Sequence, residues 1–464
     1  MPPTQATPPS PSPAVPFLIA ARFWLELGLI SFGGPAGQVA LMHSEVVERR
    51  RWLSERRFLH ALNYAMVLPG PEAQQLATYI GWLLHGLPGG LVAGSLFILP
   101  SLVLLITLSS VYALWGQLPL LAAVFWALKP AVTAIVVQAA WRLGRRILHN
   151  GVLLGIALLA FFGLTLLRLP YPALIAAAAL AGWLGGTWRP QLFKAPGTSQ
   201  GATAAAARSG PTPVPATPPL HGDDTPTPGH ARFRRRRLAL ILLAGLAALA
   251  IPLALVSLAG GWDGLLATMA RFFSRVALLS FGGAYAVLPY VAQGAVQNYH
   301  WLGADQMIDG LALGETTPGP LIMVVTFVGF MGGWNSSGSL GLAIAAAVTV
   351  TWFTFLPSFL FILAGGPLVE STRGNIRLVA PLTAISAAVV GVVANLGVFF
   401  AWHVLWPSGF SDSWLASVDW AALVLMVAAG WALIGWRWSA VRVIGLAALI
   451  GLLRQLLWGS IGTT

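Results

Sequence analysis

The chain contains no cysteine, and only 9% of its 464 residues are charged. The absence of thiols excludes disulfides, thiol catalysis and cysteine-bound metals. Soluble domains carry roughly 25% charged residues, so the low charge and the 57% hydrophobic content predict an all-α polytopic membrane protein. Apolar runs close to the length of a membrane-spanning helix recur along the chain, for example at 90–110 and 152–167.

Signatures of enzymes and pumps are also missing from the sequence. The eight histidines show no pair at zinc-ligand spacing, and no carboxylate pair, nucleophile elbow or Walker loop occurs. We therefore expect no enzymatic activity, no cofactor and no bound metal. No polar stretch is long enough for a nucleotide-binding domain, so a transporter with this sequence has to run on ion gradients.

The basic residues, which give a formal net charge of +12, cluster between apolar runs. This pattern is typical of cytoplasmic loops rather than of nucleic-acid binding. Residues 1–16 are predicted to form a disordered tail, and 191–237 a cytoplasmic linker rich in Pro, Thr and Ala that ends in a basic cluster. The linker separates an N-terminal transmembrane repeat, 17–190, from a C-terminal repeat with an extra leading helix, 238–464.

The two apolar halves share motifs at a constant spacing. ARF at 21–23, SFGG at 31–34 and Pro-Gly-Pro at 69–71 each recur 249 residues later. The first-half connector 48–58 carries five arginines, whereas its counterpart 297–307 carries no Arg or Lys. Because positive loops face the cytoplasm, the first connector is expected inside and the second outside. The sequence therefore predicts two repeats of inverted topology.

The remaining basic clusters fit this orientation only if the SFGG and Pro-Gly-Pro segments each leave and return on one side. We therefore predict broken or re-entrant helices at these motifs, forming SFGG and PGP hairpins. A topology in which some of these segments span the membrane stays open.

The broken segments predict an anion site. Non-helical backbone at membrane depth is tolerated where it is buried in protein or lines a wet cavity. A helix that begins there exposes free N–H groups and a partial positive charge. Four such starts, at Pro35, Pro71, Ala284 and Pro320, could converge on one oxyanion near the midplane. The alternative is a set of kinks that serve packing.

The predicted substrate-binding residues belong to these breaks or carry neutral hydrogen-bonding groups beside them. They are Ser31, Phe32, Gly33, Gly34, Pro35, Gln38, Pro69, Gly70, Pro71, Gln74, Gln75, Ser280, Gly282, Gly283, Tyr285, Thr316, Thr317, Pro318, Gly319 and Pro320.

Three acids are identified in apolar stretches away from loops, namely Glu26, Glu72 and Glu315. An ionisable group inside a membrane is by default a functional hypothesis. Glu72 and Glu315 could exchange protons for an anion, or each could cap its own broken helix. Glu26 occupies the position equivalent to Arg275, and pairing with an arginine is its simpler explanation.

Three basic residues are candidates for an anion path. Lys129 lies in an apolar run before a proline, and Arg22 and Arg271 occupy equivalent positions in the two halves. Each could draw anions towards the cavity. The alternative is that Lys129 snorkels to the membrane interface and that the arginines face lipid headgroups.

The motifs SFGGP at 31–35, WLSE at 52–55, LPGP at 68–71 and LATYIGW at 76–82 resemble those of the chromate ion transporter family, long two-repeat type. The tripeptide LPS, at 99–101 and again in the second half, adds to the resemblance. It implies secondary-active export of chromate across a bacterial inner membrane, with heavy-metal resistance as the benefit. Both coupling to protons and exchange for another anion stay open. Sulfate, a similar tetrahedral dianion, is implied as a competitor.

The resemblance leaves several alternatives open. Gln38 stands where many relatives are expected to carry His, and Ala284 stands where the first half has Pro35. The substrate could instead be sulfate or another inorganic oxyanion, and a channel or a membrane enzyme acting on anionic lipid is a further alternative. Expected partners are chromate, sulfate, the lipid bilayer and coupling protons, and a homodimer is compatible with the sequence.

Overall fold

The computed structural model describes residues 15–32, 34–193, 219–222, 228–231, 233–281, 283–371, 379–407, 409 and 417–458. These residues contain sixteen α-helices and no β-strand. The first half comprises α1 Phe17–Ile30, α2 Gly34–His43, α3 Glu55–Val67, α4 Glu72–Trp115, α5 Pro119–Ile147, α6 Gly151–Thr165 and α7 Tyr171–Trp188. The second half comprises α8 Arg235–Gly260, α9 Leu265–Leu279, α10 Ala284–Ala292, α11 Ala304–Thr316, α12 Val324–Ser337, α13 Leu340–Ser371, α14 Val379–Leu405, α15 Trp420–Ile434 and α16 Ala440–Trp458.

Six of these helices are long and apolar enough to cross a membrane, namely α4, α5, α8, α13, α14 and α16. The predicted fold class, an all-α polytopic membrane protein, is confirmed. Helix α8 is the leading helix of the second half, and none of its residues is buried. An apolar helix of this length without buried residues is suited to facing lipid.

The same backbone features recur 249 residues apart. A π-helical turn at Ser44–Arg49 has its counterpart at Gln293–Asn298. Each turn is followed by a non-glycine residue in the left-handed region, Arg51 with φ 53° and His300 with φ 50°. Such residues are uncommon because the Cβ atom clashes there. The correspondence between the halves therefore extends from the motifs to the local backbone geometry.

The first helix of each half, α1 or α9, ends at the tip of a helical hairpin, beside Ser31 or Ser280. In the first half α1 folds back on the segment after α2, since the rings of Phe23 and Trp52 lie 4.8 Å apart. In the second half Phe272 of α9 contacts Trp301 in the same way, with 5.5 Å between ring centroids. Both halves therefore contain an equivalent helical hairpin, which turns after Ser31 in the first half and after Ser280 in the second.

The helix that follows each Pro-Gly-Pro motif is also folded back. Helix α4 breaks at Gly86, with φ 66°, and an added Cβ on Gly81 would lie 2.4 Å from the Cβ of Ala93. In the second half Gly338, with φ 64°, separates α12 from α13. Glycines at these positions permit the turn and the close approach of the two helical segments.

The two halves exchange their last two helices. Helices α6 and α7 of the first half pack on α14, and α15 and α16 of the second half pack on α5. Since α5 and α14 also pack on each other, each half is completed by helices of the other. The hydrophobic core is continuous across both halves and includes Trp24, Phe97 and Phe330.

Parts of the predicted linker contact the first half. Residues 219–222 lie beside the connector, where His221 N donates to Trp52 O at 3.0 Å. The ring of His230 contacts the Trp82 carbonyl, 2.9 Å from Nε2. The rest of the linker between 194 and 227, and residues 1–14 of the predicted tail, lie outside the described residues.

Candidate functional site

The breaks of the two halves cross each other. The amide of Gly70, in the first Pro-Gly-Pro motif, donates to the carbonyl of Ser280, which ends α9, at 2.8 Å. Equivalently, the amide of Gly319 in the second motif donates to the carbonyl of Ser31, which ends α1, also at 2.8 Å. We call these contacts the first and second crossing. A reciprocal exchange of equivalent atoms is what a pseudo-twofold axis between the halves produces.

A bond between Tyr285 and Glu315 links the two crossings. The Tyr285 hydroxyl, just after the break at Ser280, donates to Glu315 Oε1 at 2.5 Å. Glu315 itself lies four residues before Gly319. The structure therefore brings all four predicted breaks into one region, with one tyrosine–carboxylate pair between them.

Two serines that the sequence analysis did not assign to the site lie against the crossing glycines. An added Cβ on Gly319, which has φ 106°, would lie 2.9 Å from Ser101 Oγ of α4. An added Cβ on Gly70, which has φ 130°, would lie 2.2 Å from Ser358 Oγ of α13. Ser101 and Ser358 are the last residues of the two LPS motifs, and each reaches the glycine of the opposite half. The recurrence of LPS was the signal that could have identified them.

Several buried polar atoms around the crossings have no hydrogen-bond partner among the described residues. They are the hydroxyls of Ser101, Ser280 and Ser358 and the side-chain carbonyl oxygens of Gln38, Gln74 and Gln75. Hydroxyls in apolar helices usually bond back to the preceding turn, as Ser110 does to Ile106 O at 2.8 Å. A buried polar group without a partner costs about 1–3 kcal/mol. Such a cluster is suited to binding a polar ligand.

The glutamines hold the loops with their amide N–H groups. Gln38 Nε2 donates to Gly319 O and, at 3.3 Å, to Ser31 O, and therefore stabilises the second crossing. Gln75 Nε2 donates to Pro69 O at 2.7 Å, and Gln74 Nε2 to Thr78 Oγ1 at 3.0 Å. The hydroxyls of Ser101, Ser280 and Ser358 are thus the donors without a partner among the described residues, whereas the side chains of Gln38 and Gln75 position the backbone of the loops.

The other predicted substrate residues belong to the same loops. Thr316 and Thr317 use their hydroxyls on carbonyls of their own helix, at 2.9 and 3.1 Å. Ser31 does the same to Leu27 O at 2.6 Å. Phe32, Gly34, Pro35, Pro71, Gly283, Pro318 and Pro320 form the surrounding loops and helix starts. Two predicted residues, Gly33 and Gly282, lie outside the described residues.

Two arginines on α5 act electrostatically on the predicted acids. Glu72, the first residue of α4, interacts with Arg146, and Glu315 interacts with Arg142. The Oε1 atom of Glu72 lies 3.7 Å from the position of a Cβ on Gly283, beside the first crossing. Both carboxyl groups are therefore close enough to arginines near the end of α5 for their charges to interact.

An acid that the sequence analysis missed is buried on α11. Asp309 is 4% exposed, and its Oδ2 accepts from the Tyr112 hydroxyl at 2.8 Å. Asp309 follows soon after the polar connector, so its burial is not evident from the sequence. Nearby Lys129 pairs with Asp305, 2.7 Å from Nζ to Oδ1, so its charge is matched rather than free in an anion path.

The equivalent arginines of α1 and α9 have local partners. Arg22 Nε pairs with Glu26 Oε1 at 2.8 Å, as expected for Glu26, and the Arg22 side chain is 81% exposed. Arg271 donates to Trp262 O at 2.8 Å and lies over the Trp262 ring. Both arginines precede the SFGG break by nine residues, about 13 Å along a helix. They therefore lie apart from the crossings.

Fold and site define a multi-pass membrane transport protein with two intertwined halves and a polar centre. The chain belongs to the chromate transporter family, whose model matches residues 18–183 and 267–452. It is 32% identical over 404 residues to a chromate transport protein of Pseudomonas aeruginosa, covering 84% of this chain and 81% of that protein. The chromate transport protein of Cupriavidus metallidurans is 27% identical over 382 residues, covering 82% and 81% of the two chains. A probable chromate transport protein of Synechococcus elongatus is 27% identical over 385 residues, covering 82% of this chain and 84% of that protein. No solved structure matches this chain.

Proposed function

We propose that this chain exports chromate from the cytoplasm across a bacterial inner membrane and holds the dianion between the two crossings. The observation that carries the proposal is the reciprocal pair of backbone bonds, from Gly70 to Ser280 and from Gly319 to Ser31. It brings interrupted helices of both halves together, with unpartnered serine hydroxyls beside them. Free N–H groups at helix starts and hydroxyl donors are the groups that bind tetrahedral oxyanions.

The proposed orientation supports export. With the arginine-rich connector of the first half and the linker in the cytoplasm, the arginine cluster at the end of α5 also faces inside. Arg142 and Arg146 then attract a dianion from the cytoplasm towards Glu315 and Glu72. Moving one charge across 100 mV changes its electrical energy by about 2.3 kcal/mol. A membrane potential of that size, negative inside, therefore favours export of a dianion by about 4.6 kcal/mol.

Glu72 and Glu315 are proposed to couple transport to protons. Two like charges in a desolvated site repel each other strongly. A dianion at the crossings is therefore bound best when these carboxyl groups carry protons. A protonated carboxyl group can also donate a hydrogen bond to the oxyanion, which an ionised one cannot.

The same site is suited to sulfate, which has the same charge and shape. Serine hydroxyls and backbone amides contact oxygen atoms only, so they do not distinguish the central atom. Sulfate is therefore expected to compete with chromate, and it is the second candidate substrate.

The function is tested with purified protein in proteoliposomes loaded with radiolabelled chromate. We expect chromate flux that saturates, is reduced by sulfate and responds to the membrane potential. Flux that does not saturate would indicate a channel, and the absence of flux for both anions would refute the proposal.

A further inference from the structure

Helix α11 carries three acids between its connector end and the second crossing. Asp305 lies in the first turn with a side chain 59% exposed, Asp309 is 4% exposed, and Glu315 bonds to Tyr285 at the far end. Spacings of four and six residues separate them by about 6 and 9 Å along the helix axis. The acids therefore occupy three levels of α11 between a polar connector and the proposed substrate site.

Asp309 is the member of this series that is most enclosed. The Tyr112 hydroxyl donates to Oδ2, whereas Oδ1 is buried without a hydrogen-bond partner. The rings of Phe125 and Phe327 pack on Tyr112, with centroids 4.9 and 5.4 Å away. A carboxylate with one neutral donor in such a place is costly unless it gains a proton or a cation.

Lys129 is the cation within reach. Its Nζ lies 2.7 Å from Asp305 Oδ1, and its charge also acts on Asp309. Loss of a proton from Asp309 would make that carboxylate a second partner for the same ammonium group. The Lys129 side chain can therefore pair with either Asp305 or Asp309, since both acids lie on α11.

The other helices packed on α11 bring few titratable groups to this place. Helix α12 carries none, and on α14 His403 contacts the Phe399 carbonyl at 2.8 Å. On α16, Arg454 lies over the Trp126 ring, 3.8 Å from its centroid, and the remaining cation is Arg442. Tyr112, Lys129 and Asp305 are thus the groups that face Asp309.

We propose that Asp309 is a proton-binding residue that relays protons between the external connector and Glu315 during oxyanion export. The inference rests on the proposed function and its orientation. As the carboxylate, Asp309 takes the proton that Glu315 releases when the dianion leaves. As the carboxylic acid it then passes that proton to the external connector, after which Lys129 again stabilises the carboxylate. No bond other than the O–H bond forms or breaks.

The first half lacks this series of acids. The positions equivalent to Asp305, Asp309 and Glu315 are Arg56, His60 and Met66. The proton step at Asp309 is therefore confined to the second half, although the backbone of the site is duplicated.

The test compares two modes of chromate movement in proteoliposomes. Exchange of labelled for unlabelled chromate without a pH gradient reports substrate binding, and gradient-driven net flux reports coupling. We expect Asp309→Asn to retain chromate exchange. The stimulation of net flux by the pH gradient should fall about tenfold. Asp309→Glu, which keeps the acid, should recover part of it. Glu26→Gln, an acid-to-amide change at the exposed Arg22 pair, is the matched control and should behave as wild type.

Retention of the full gradient response in Asp309→Asn would overturn the inference, whereas absence of any wild-type flux would refute the proposed function instead. A measurement without chromate keeps the two apart. Infrared difference spectra of the purified protein between acid and alkaline pH should contain the carbonyl stretch of a buried carboxylic acid. Asp309→Asn should remove one component of that absorption and leave the components of Glu72 and Glu315, and an unchanged spectrum would also overturn the inference.

Discussion

The two halves of the molecule share a backbone and differ in their charged side chains. The crossing glycines Gly70 and Gly319 adopt positive φ values of 130° and 106° and make equivalent bonds. The two acids beside them have no such symmetry, because Glu72 corresponds to Leu321 and Glu315 to Met66. The groups proposed to hold the substrate therefore occur twice, whereas the groups proposed to carry protons occur once.

The largest effect is expected at the shared backbone. Gly70→Val and Gly319→Val should each abolish chromate flux in everted vesicles, because a β-branched residue is strongly disfavoured at these φ values and its Cβ would meet Ser358 or Ser101. Gly155→Val, where an added Cβ has no neighbour within 4 Å, is the control. Flux is normalised to the amount of protein in the membrane. Loss in only one of the two crossing variants would break the proposed symmetry of the site.

The next effect concerns the serine hydroxyls at the two crossings. Ser101→Ala and Ser358→Ala should each raise the KM for chromate about tenfold, since a hydrogen bond to a charged group contributes about 1.5–3 kcal/mol. Ser110→Ala, whose hydroxyl bonds to its own helix, should leave KM unchanged. Unchanged KM values in both crossing variants would remove the serines from the site.

The single-copy acids should affect pH dependence more than maximal rate. Wild-type flux should fall as pH rises, because ionised Glu72 and Glu315 repel the dianion. Glu315→Gln and Glu72→Gln should stay active at alkaline pH, with a flatter profile. Profiles identical to that of the wild type would exclude these residues from coupling.

The smallest effect on activity is expected from the cysteine substitutions that test the orientation of the two halves. The natural absence of cysteine permits single labels at Arg56→Cys and Gly303→Cys, both on the exposed connectors of the two halves. A membrane-impermeant thiol reagent should label the first from the cytoplasmic side and the second from outside. Labelling from the same side would contradict inverted topology.

Much of the fold could be predicted from the sequence because its determinants are local. Gly and Pro are disfavoured in helix interiors, and although single prolines such as Pro130 lie inside helices, the clusters SFGG and Pro-Gly-Pro predict breaks without a structure. The contacts between halves could not be predicted, because Ser101 and Gly319 are distant in the chain. Asp309 was missed for a related reason, since its burial depends on Tyr112 and Phe327 from other parts of the chain.

Charge alone does not show whether a cation is available to an anion. Arg22 and Arg271 were considered for an anion path, but each has a partner on its own helix or the preceding loop. Lys129 was considered for the same path and pairs with Asp305. A sequence gives the presence of a cation, whereas its availability to an anion depends on which carboxylates the fold brings beside it.

The most direct test of a shared oxyanion site is diffraction from crystals grown with chromate, recorded at the chromium absorption edge. We expect one anomalous peak among the four breaks, bounded by Ser101 of the first half and Ser358 of the second. A peak elsewhere, with the crossings occupied by protein atoms alone, would contradict it.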